Sequence, residues 1–383
     1  MHTAQRTHGF TESVIRGMTR LANEHGAINL AQGFPNFPAP EELKEAAVAA
    51  IRADVNQYAI TWGAQRLREA LARKMHSCYG LAVDPETEIT ITCGATEAMA
   101  SVLLALVDPG DEVVIFEPWY ENYGPDAVLC GARPVNVPLP VSQPLDLDRL
   151  AQAFGPKTRA IILNTPNNPT GKVFTAEELA GIADLCQRHD AYAITDEIYE
   201  HIVYEGRHIP IATLPGMAER TVTISGASKT FAITGWRIGT ILAPRELTAA
   251  IRKVHDFLTV GAPAPLQEAV ATAMDTLPGE YYTGMAEAYR HRRNILCGAL
   301  IRAGFQLVPP QGAYYVLADY SALGHEDDVT FATRLVVEAG VATVPLSSFI
   351  SNPAESRTVR FAFCKTEDLL EEAGRRLQAF TER

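Results

Sequence analysis

The chain has 383 residues, 47% hydrophobic and 20% charged, a composition typical of a globular protein with one large domain or two. Its formal net charge of −12 argues against general binding to nucleic acids or anionic membranes, because such binding usually requires a basic surface. The six cysteines form no CxxC pair, so we expect reduced thiols in a cytoplasm and no metal site.

The N-terminal stretch "MHTAQRTHGF" contains no apolar segment of the signal-peptide type. The apolar run at 100–107 is too short to span a bilayer. We therefore expect neither a signal peptide nor a membrane-spanning helix.

Helical periodicity marks residues 40–53 and 64–80, which are bounded by Pro40 and Gly80 as helix termini often are. Short apolar runs then alternate with helical stretches such as 95–107 and 175–190. The runs that we predict to be strands are 88–93, 111–117, 159–164, 191–195 and 220–225. They are apolar on both faces, which predicts an α/β fold with a mostly parallel sheet between helices and ligands at the carboxyl ends of its strands.

The pattern changes after about residue 280. A long helix is predicted at 280–304, followed by an apolar segment at 312–320 and a final helix from about Glu367. This change predicts a second, smaller α+β domain.

Chemically informative residues follow the predicted strands. After the strand at 88–93, the backbone N–H groups of Ala95 and Thr96 would open a helix and could bind an anion, although an ordinary strand-to-helix turn explains them equally well. Trp119 follows the strand at 111–117 and could stack on a flat ring or belong to the core. Asn168 lies in "TPNNPTG", a rigid polar turn that would point its amide outward.

Two further strand ends carry ionisable groups. Asp196 follows an apolar strand, where a carboxylate needs a partner unless it caps a helix, and Tyr199 can lie on the same side of the turn. Lys229 follows Ser228 and other small residues in "GASKTFAITGWR". Such surroundings would lower its pKa and make it a nucleophilic amine rather than a surface lysine, while Arg237 would supply a fixed charge for a phosphate.

Together these groups match one cofactor, pyridoxal 5′-phosphate (PLP). Its aldehyde requires a lysine, its ring nitrogen an acid, and its phosphate a set of N–H donors and an arginine. The combination and its order along the chain are more informative than any single residue.

Six motifs carry a resemblance to a known family: "NLAQGFPNFP" (29–38), "NQYAITWGAQRLREAL" (56–71), "LNTPNNPTGKVF" (163–174), "ITDEIYEHIVYEG" (194–206), "SKTFAITGWRIG" (228–239) and "VRFAFCK" (359–365). With them the chain resembles class I aminotransferases of PLP fold type I from about residue 10 to its end. The likeness is greatest to the branch of kynurenine aminotransferases, glutamine transaminase K and methionine aminotransferases. We predict an N-terminal arm (1–40) that joins the small domain, a large PLP-binding domain (41–280) and a small C-terminal domain (281–383).

The resemblance implies a role for each matching residue. Lys229 would form an aldimine with PLP and move the substrate Cα proton, and Asp196 would pair with the pyridine nitrogen. Arg360 would bind the substrate α-carboxylate, unless it forms an internal salt bridge. The remaining implied contacts are Tyr199 and Asn168 to the ring oxygen, Trp119 to the ring face, Ala95, Thr96, Ser228 and Arg237 to the phosphate, Tyr58 to the phosphate of the other subunit, and Gly33 and Asn168 to the substrate.

The sequence also departs from the family. Gly226 stands where a phosphate-binding serine is frequent, so that Ser225 or Ser228 would have to replace it. Thr96 replaces a frequent tyrosine, Ile15 stands where we align a tryptophan, and 260–261 lack a frequent aromatic residue and histidine. We expect a less aromatic pocket, with an aliphatic, thioether or polar amino donor at least as acceptable as kynurenine.

The implied reaction is ping-pong transfer of an α-amino group from an L-amino acid to a 2-oxo acid, in a homodimer with shared active sites. The same residues in the same fold also support elimination, oxidation or hydroxylation of the substrate. A non-catalytic amino-acid sensor is a further alternative, but the chain contains no additional basic DNA-binding domain.

Overall fold

The computed structural model describes residues 2–8, 12–141, 143–352 and 356–382. Its α-helices are α1 (Val14–Glu24), α2 (Glu41–Arg52), α3 (Gln65–Tyr79), α4 (Ala95–Leu106), α5 (Tyr123–Leu129), α6 (Leu147–Gln152), α7 (Ala176–Arg188), α8 (Ala227–Thr230), α9 (Arg245–Thr259), α10 (Ala264–Thr276), α11 (Gly279–Arg302), α12 (Asp328–Arg334) and α13 (Glu367–Thr381). Short 3-10 helices cover Gln5–Thr7, Ile211–Thr213, Thr234–Trp236 and Leu346–Phe349, and a π-helical turn covers Leu335–Ala339.

The strands are β1 (Ile28–Asn29), β2 (Ile89–Thr92), β3 (Glu112–Glu117), β4 (Arg133–Pro138), β5 (Thr158–Asn164), β6 (Tyr192–Asp196), β7 (Thr221–Gly226), β8 (Gly239–Leu242), β9 (Gln306–Leu307), β10 (Tyr315–Asp319), β11 (Val341–Ala342), β12 (Val344–Pro345) and β13 (Thr358–Ala362). Each strand and helix predicted with bounds is confirmed to within a few residues, and the segment at 312–320 contains β10. The helices predicted from Pro40 and up to Gly80 begin and end there, Gly80 being left-handed with φ 69°.

A seven-stranded sheet forms the centre of the larger part, in the order β2-β8-β7-β6-β5-β3-β4. All neighbours are parallel except that β8 runs antiparallel to β2 and β7. Alternate residues of β3 enter two separate cores: Val113 and Ile115 pack on the side of α4, and Val114 and Phe116 on the side of α7. Because both faces are covered, the strands read as continuous apolar runs.

The C-terminal part contains a smaller sheet, which is antiparallel and has the order β12-β13-β10-β9. The strand β1 from the N-terminal region pairs in parallel with β11. A third core joins side chains from α1, β10, α11, β13 and α13. The site therefore has two walls, the carboxyl ends of the large sheet and the strands β10 and β13.

Among the described residues, no helix is both long enough and apolar enough to cross a membrane. All six cysteines are unpaired, and four of them are buried.

Candidate active site

A cavity of about 330 Å³ lies at the carboxyl ends of β5, β6 and β7. This is the edge at which ligands bind in open α/β sheets. Ten of the twelve residues predicted from the sequence line it: Gly33, Ala95, Thr96, Asn168, Asp196, Tyr199, Ser228, Lys229, Arg237 and Arg360. The two exceptions are Trp119 and Tyr58.

Lys229 is presented to the cavity by α8, a single helical turn that begins directly after β7. Its Nζ donates a hydrogen bond to the backbone oxygen of Gly33 at 3.3 Å. It lies 5.8 and 5.6 Å from the ring centres of Tyr199 and Tyr314. Burial lowers the pKa of Lys229 to about 8, because the protonated amine loses its hydration. A substantial fraction of the side chain is therefore a neutral, nucleophilic amine near pH 8.

Asp196 is the last residue of β6 and is only 7% exposed. The hydroxyl of Tyr123 donates to its Oδ2 at 2.7 Å, and the backbone N–H of Ile198 donates to Oδ1 at 3.3 Å. Burial raises the pKa of Asp196, whereas these hydrogen bonds and Lys229 lower it by less. No regular helix begins at Asp196, so it does not act as a helix cap there.

Arg360 lies in the middle of β13 and is fully buried. Its Nη1 donates to Oδ1 of Asn168 at 2.9 Å, and its Nη2 donates to the oxygen of Ala31 at 2.8 Å. Its Nε has no partner, and within the described part of the chain no carboxylate forms a salt bridge with it. The alternative of an internal salt bridge is therefore not what the described residues show, and a buried cation of this kind is costly unless an anion joins it.

Arg237 and the start of α4 form another part of the wall. The guanidinium of Arg237 donates to the oxygens of Thr234 at 3.1 Å and Cys93 at 3.4 Å, while α4 begins at Ala95. A helix start and an arginine are both suited to phosphate.

Gly226 has a structural reason for not being serine. A Cβ atom at this position would lie 2.7 Å from the oxygen of Ile238 and 3.1 Å from Cα of Gly239, so the backbone of β8 excludes it. Of its two possible replacements, Ser225 turns its hydroxyl away to Glu200 at 2.7 Å, and Ser228 lines the cavity.

Trp119 is replaced on the cavity wall by its neighbour Tyr120. The indole of Trp119 packs against the core beside α4, and its backbone N–H donates to Phe349 at 3.0 Å. The residue that faces the cavity is therefore one position further along the chain than predicted. Tyr58 lies outside this chain's cavity and is 87% exposed.

Sequence reasoning missed several residues that matter here. Tyr123 and Asp126 lie on the short helix α5, which the apolar pattern did not predict. Tyr315 was noted only as part of the apolar segment at 312–320, yet its hydroxyl lies 3.1 Å from that of Tyr199. The spacing of Tyr120 and Tyr123 within "PWYENY" was the one available signal.

Comparison with known proteins identifies the family. A model of the family described as aminotransferase class I and II matches residues 25–377. The chain belongs to this family. It is 42% identical to a probable N-succinyldiaminopimelate aminotransferase DapC of Mycobacterium tuberculosis over 100% of this chain and 99% of that protein. The solved structure of the N-succinyldiaminopimelate aminotransferase from that organism matches with a TM-score of 0.96, covering 99% of this chain and 100% of the other.

Two other relatives carry different substrate names. The methionine aminotransferase of Escherichia coli is 39% identical over 96% of this aminotransferase and 95% of its own length. The human kynurenine–oxoglutarate transaminase 1 is 36% identical over 98% and 97%. The chain is thus a PLP-dependent aminotransferase of fold type I, as predicted.

The cavity of this aminotransferase fits PLP. The amine of Lys229 suits the aldehyde of PLP, and the buried carboxyl group of Asp196 suits a protonated ring nitrogen. The unpartnered Nε of Arg360 indicates an additional anionic group, such as a substrate carboxylate.

Proposed function

We propose that this aminotransferase binds PLP through Lys229, Asp196 and Arg237, and binds the α-carboxylate of an L-amino acid through Arg360. The observation that carries the proposal is that one cavity contains a partly buried amine, a buried carboxyl group and a buried guanidinium with no carboxylate partner among the described residues. When bound, PLP supplies the carbonyl carbon that takes up the amino group and a ring that accepts electrons from the substrate.

The side chains divide the remaining tasks. Lys229 would accept a proton from the substrate Cα and deliver it to the cofactor carbon that takes up the amino group, for which a pKa of about 8 is well matched to neutral pH. Asp196 keeps the ring nitrogen protonated, and the hydroxyl of Tyr123 holds the Asp196 carboxylate in place. Arg360 and Asn168, which are joined by a hydrogen bond, orient the substrate carboxylate beside Gly33.

The other contacts complete the cofactor site. Tyr199 and Asn168, which line the cavity, would contact the oxygen of the PLP ring, and Tyr120 would take the stacking role that the family resemblance implied for Trp119. The N-terminus of α4, with Ala95 and Thr96, joins Ser228 and Arg237 at the phosphate.

We also propose a homodimer in which Tyr58 reaches the phosphate of the other subunit. Five large hydrophobic side chains near one another in the fold are substantially exposed, at 87, 47, 92, 47 and 48%: Tyr58, Ile60, Phe257, Leu258 and Val260. A hydrogen bond of 2.8 Å between the oxygen of Thr61 and Nε2 of His255 joins their two segments. An apolar patch of this kind is typical of a protein interface.

The predicted division into an arm (1–40), a large domain (41–280) and a small domain (281–383) is retained in this proposal. The pairing of β1 with β11 supports the attachment of the arm to the small domain. We propose a cytoplasmic location, which the six unpaired cysteines support.

The amino donor is proposed to be aliphatic, thioether-containing or polar rather than aromatic. Ile15 lines the cavity where we aligned a tryptophan, while Ser13, Arg16, Glu121 and Asn122 make the same region polar. The three relatives named above carry three different substrate names, so membership of the family does not select the donor.

The first experiment is an absorbance spectrum of the purified holoenzyme with single amino acids and no 2-oxo acid. We expect loss of the near-visible cofactor band with a good donor and its return when a 2-oxo acid is added, as ping-pong transfer requires. Release of ammonia, a thiol or peroxide without a 2-oxo acid would favour elimination or oxidation instead.

A panel of donors then tests the substrate class. Methionine, glutamine and aliphatic amino acids are expected to match or exceed kynurenine in kcat/KM. Ile15→Trp should lower kcat/KM for the preferred donor by about tenfold, because a larger ring occupies its space. A strong preference of the unmodified protein for kynurenine would overturn the proposed class.

A further inference from the structure

The turn after β6 has two functional faces. Asp196 and Tyr199 line the cavity, whereas Glu197 and Glu200 do not. These two glutamates are only 1% and 7% exposed, respectively. Two buried carboxylates on four consecutive positions are costly unless each is paired.

Glu197 is held by a histidine eleven residues further along the same connection. Nε2 of His208 lies 2.7 Å from its Oε2, and the hydroxyl of Thr195 donates to its Oε1 at 2.9 Å. The side chain of His208 is only 3% exposed. Its Nδ1 has no partner among the described residues, so the hydrogen bond to Glu197 is the one that fixes the ring.

Glu200 is held by three groups from α3 and β7. Nζ of Lys74 and the hydroxyls of Tyr79 and Ser225 donate to it at 2.5, 2.6 and 2.7 Å. Burial raises the pKa of Glu200, but Lys74, His201 and His208 together outweigh this effect and hold that pKa well below its ordinary value. These hydrogen bonds therefore fix the turn to α3 and β7 at Glu200.

The charged groups that face His208 are the carboxylates of Glu197 and Glu200 and the ammonium of Lys74, with the ring of Tyr79 at 5.8 Å. Burial lowers the pKa of His208, but Glu197 and Glu200 raise it by more, so that it lies above its ordinary value. Burial lowers the pKa of the neighbouring His201 to about 4, so His201 is neutral at pH 7. His208 and Lys74 thus balance the two glutamates.

This balance matters for Asp196. Burial is the main cause that raises the pKa of Asp196, and the adjacent negative charge of Glu197 raises it further. The protonated imidazole of His208, paired with Glu197, opposes that contribution and favours the carboxylate form of Asp196.

We propose that Glu197 and His208 are a positioning pair for the cofactor: the pair fixes the turn that carries Asp196 and neutralises the charge beside it. The inference rests on the proposed function, in which Asp196 binds the ring nitrogen of PLP. Neither residue touches the cavity, so both act through Asp196.

The test measures the dissociation constant of PLP on the apoprotein for His208→Gln, Glu197→Gln and the double variant. We expect His208→Gln to weaken PLP at least about tenfold, because it leaves the carboxylate of Glu197 buried and unpaired. The double variant should return to within about threefold of the unmodified protein, because it removes both charges. His201→Gln is the matched control, because the His201 imidazole is neutral at pH 7 and its ring centre lies 4.7 Å from that of Tyr282. This substitution should leave PLP affinity unchanged.

A second measurement is the pKa of His208 by NMR, with and without PLP. If the pair had only a structural role, PLP would not change this pKa. Binding is reciprocal, so a tenfold coupling raises the pKa of His208 by about one unit when PLP is added to the apoprotein. His208→Gln assigns the resonance. A His208 pKa that does not respond to PLP, or unchanged PLP affinity in His208→Gln, overturns the inference.

The outcomes also separate this inference from the proposed function. If the unmodified protein fails to bind PLP, the proposed function itself is wrong. If His208→Gln does not fold, the double variant assigns the His208 resonance and the NMR titration decides: a His208 pKa that rises on PLP binding supports the pair, and an unresponsive one contradicts it.

Discussion

The two arginines of the cavity lie in opposite environments. Arg360 is fully buried on β13, and its guanidinium donates to Asn168 and Ala31. Arg237 is exposed in the single chain, with only the oxygens of Thr234 and Cys93 as described partners. The proposed carboxylate end is thus built within one chain, whereas the phosphate end remains open to a second subunit.

Because the two guanidinium groups differ in burial, they should differ in how strongly each depends on exact geometry. A buried guanidinium recognises its anion with little competition from water, so small geometric changes are expensive. An exposed guanidinium is screened until another surface covers it. Substitutions at the carboxylate end and at the phosphate end of the cavity test this difference.

The largest effect is expected for Arg360→Lys. Lysine keeps the charge but loses the planar fork, so kcat/KM should fall by about 100-fold or more while PLP affinity changes by less than about threefold. Steady-state kinetics and PLP titration measure the two quantities. Arg357→Lys is the control: Arg357 precedes β13, its guanidinium donates to the oxygen of Ser356, and the variant should retain kcat/KM. Retention of kcat/KM in Arg360→Lys would remove Arg360 from the substrate site.

Arg237→Met should have a different signature. Loss of one charge-assisted phosphate contact is expected to weaken PLP by about 10- to 100-fold, with a smaller change in KM for the amino acid once PLP is saturating. Equilibrium dialysis of PLP against the apoprotein checks this. A change in KM alone would place Arg237 with the substrate instead of the phosphate.

Asp126 can be compared with Arg360, because both are buried ionisable groups. Unlike the guanidinium nitrogens Nη1 and Nη2 of Arg360, Oδ2 of Asp126 has no partner among the described residues. Burial raises the pKa of Asp126 to about 7. Since the folded pKa lies above the unfolded value, the destabilisation is absent below about pH 4, grows as pH rises towards 7 and stays constant above. Asp126→Asn should therefore raise the free energy of unfolding by about 1–2 kcal/mol at pH 8, and this increase should become smaller towards pH 5.

Chemical denaturation at the two pH values measures that difference. The exposed Asp148→Asn is the control and should show no such trend. A gain that is independent of pH would mean that the Asp126 carboxyl group is not the titrating group.

The smallest effect is expected for Tyr58→Phe, which removes one hydroxyl group from the proposed phosphate end of the neighbouring subunit's site. PLP affinity should fall by about two- to tenfold in the dimer, the range for one hydrogen bond. Sedimentation shows whether the dimer persists. Equal PLP affinity in a dimeric variant would contradict the placement of Tyr58 in its neighbour's site.

The sequence predicted those parts of the molecule that periodicity controls. The strands β2, β3, β5, β6 and β7 are apolar on both faces, and their carboxyl ends led directly to Asp196 and Lys229. Residues placed by irregular backbone were harder. Trp119 was named and Tyr120 was not considered, because local sequence does not fix which of two adjacent aromatic side chains faces the cavity.

Residues that act across the fold were also missed. Tyr123 reaches Asp196 from 73 positions away, and His208 reaches Glu197 only because the chain folds back beneath the turn. The strand β8 was not predicted, since four residues with mixed burial give too short a pattern. Contacts of this kind depend on packing, to which local sequence contributes little.

The crowding at Gly226 limits what can be borrowed from related enzymes. Its missing side chain leaves room for the Ile238 carbonyl and for Gly239 on β8, so a serine grafted from a relative would push the two strands apart. Gly239 is restricted from its other side, because a Cβ atom there would lie 2.4 Å from the carbonyl carbon of Gly94. Engineers who transplant a pocket into this chain should therefore keep both glycines and vary Ser228 instead.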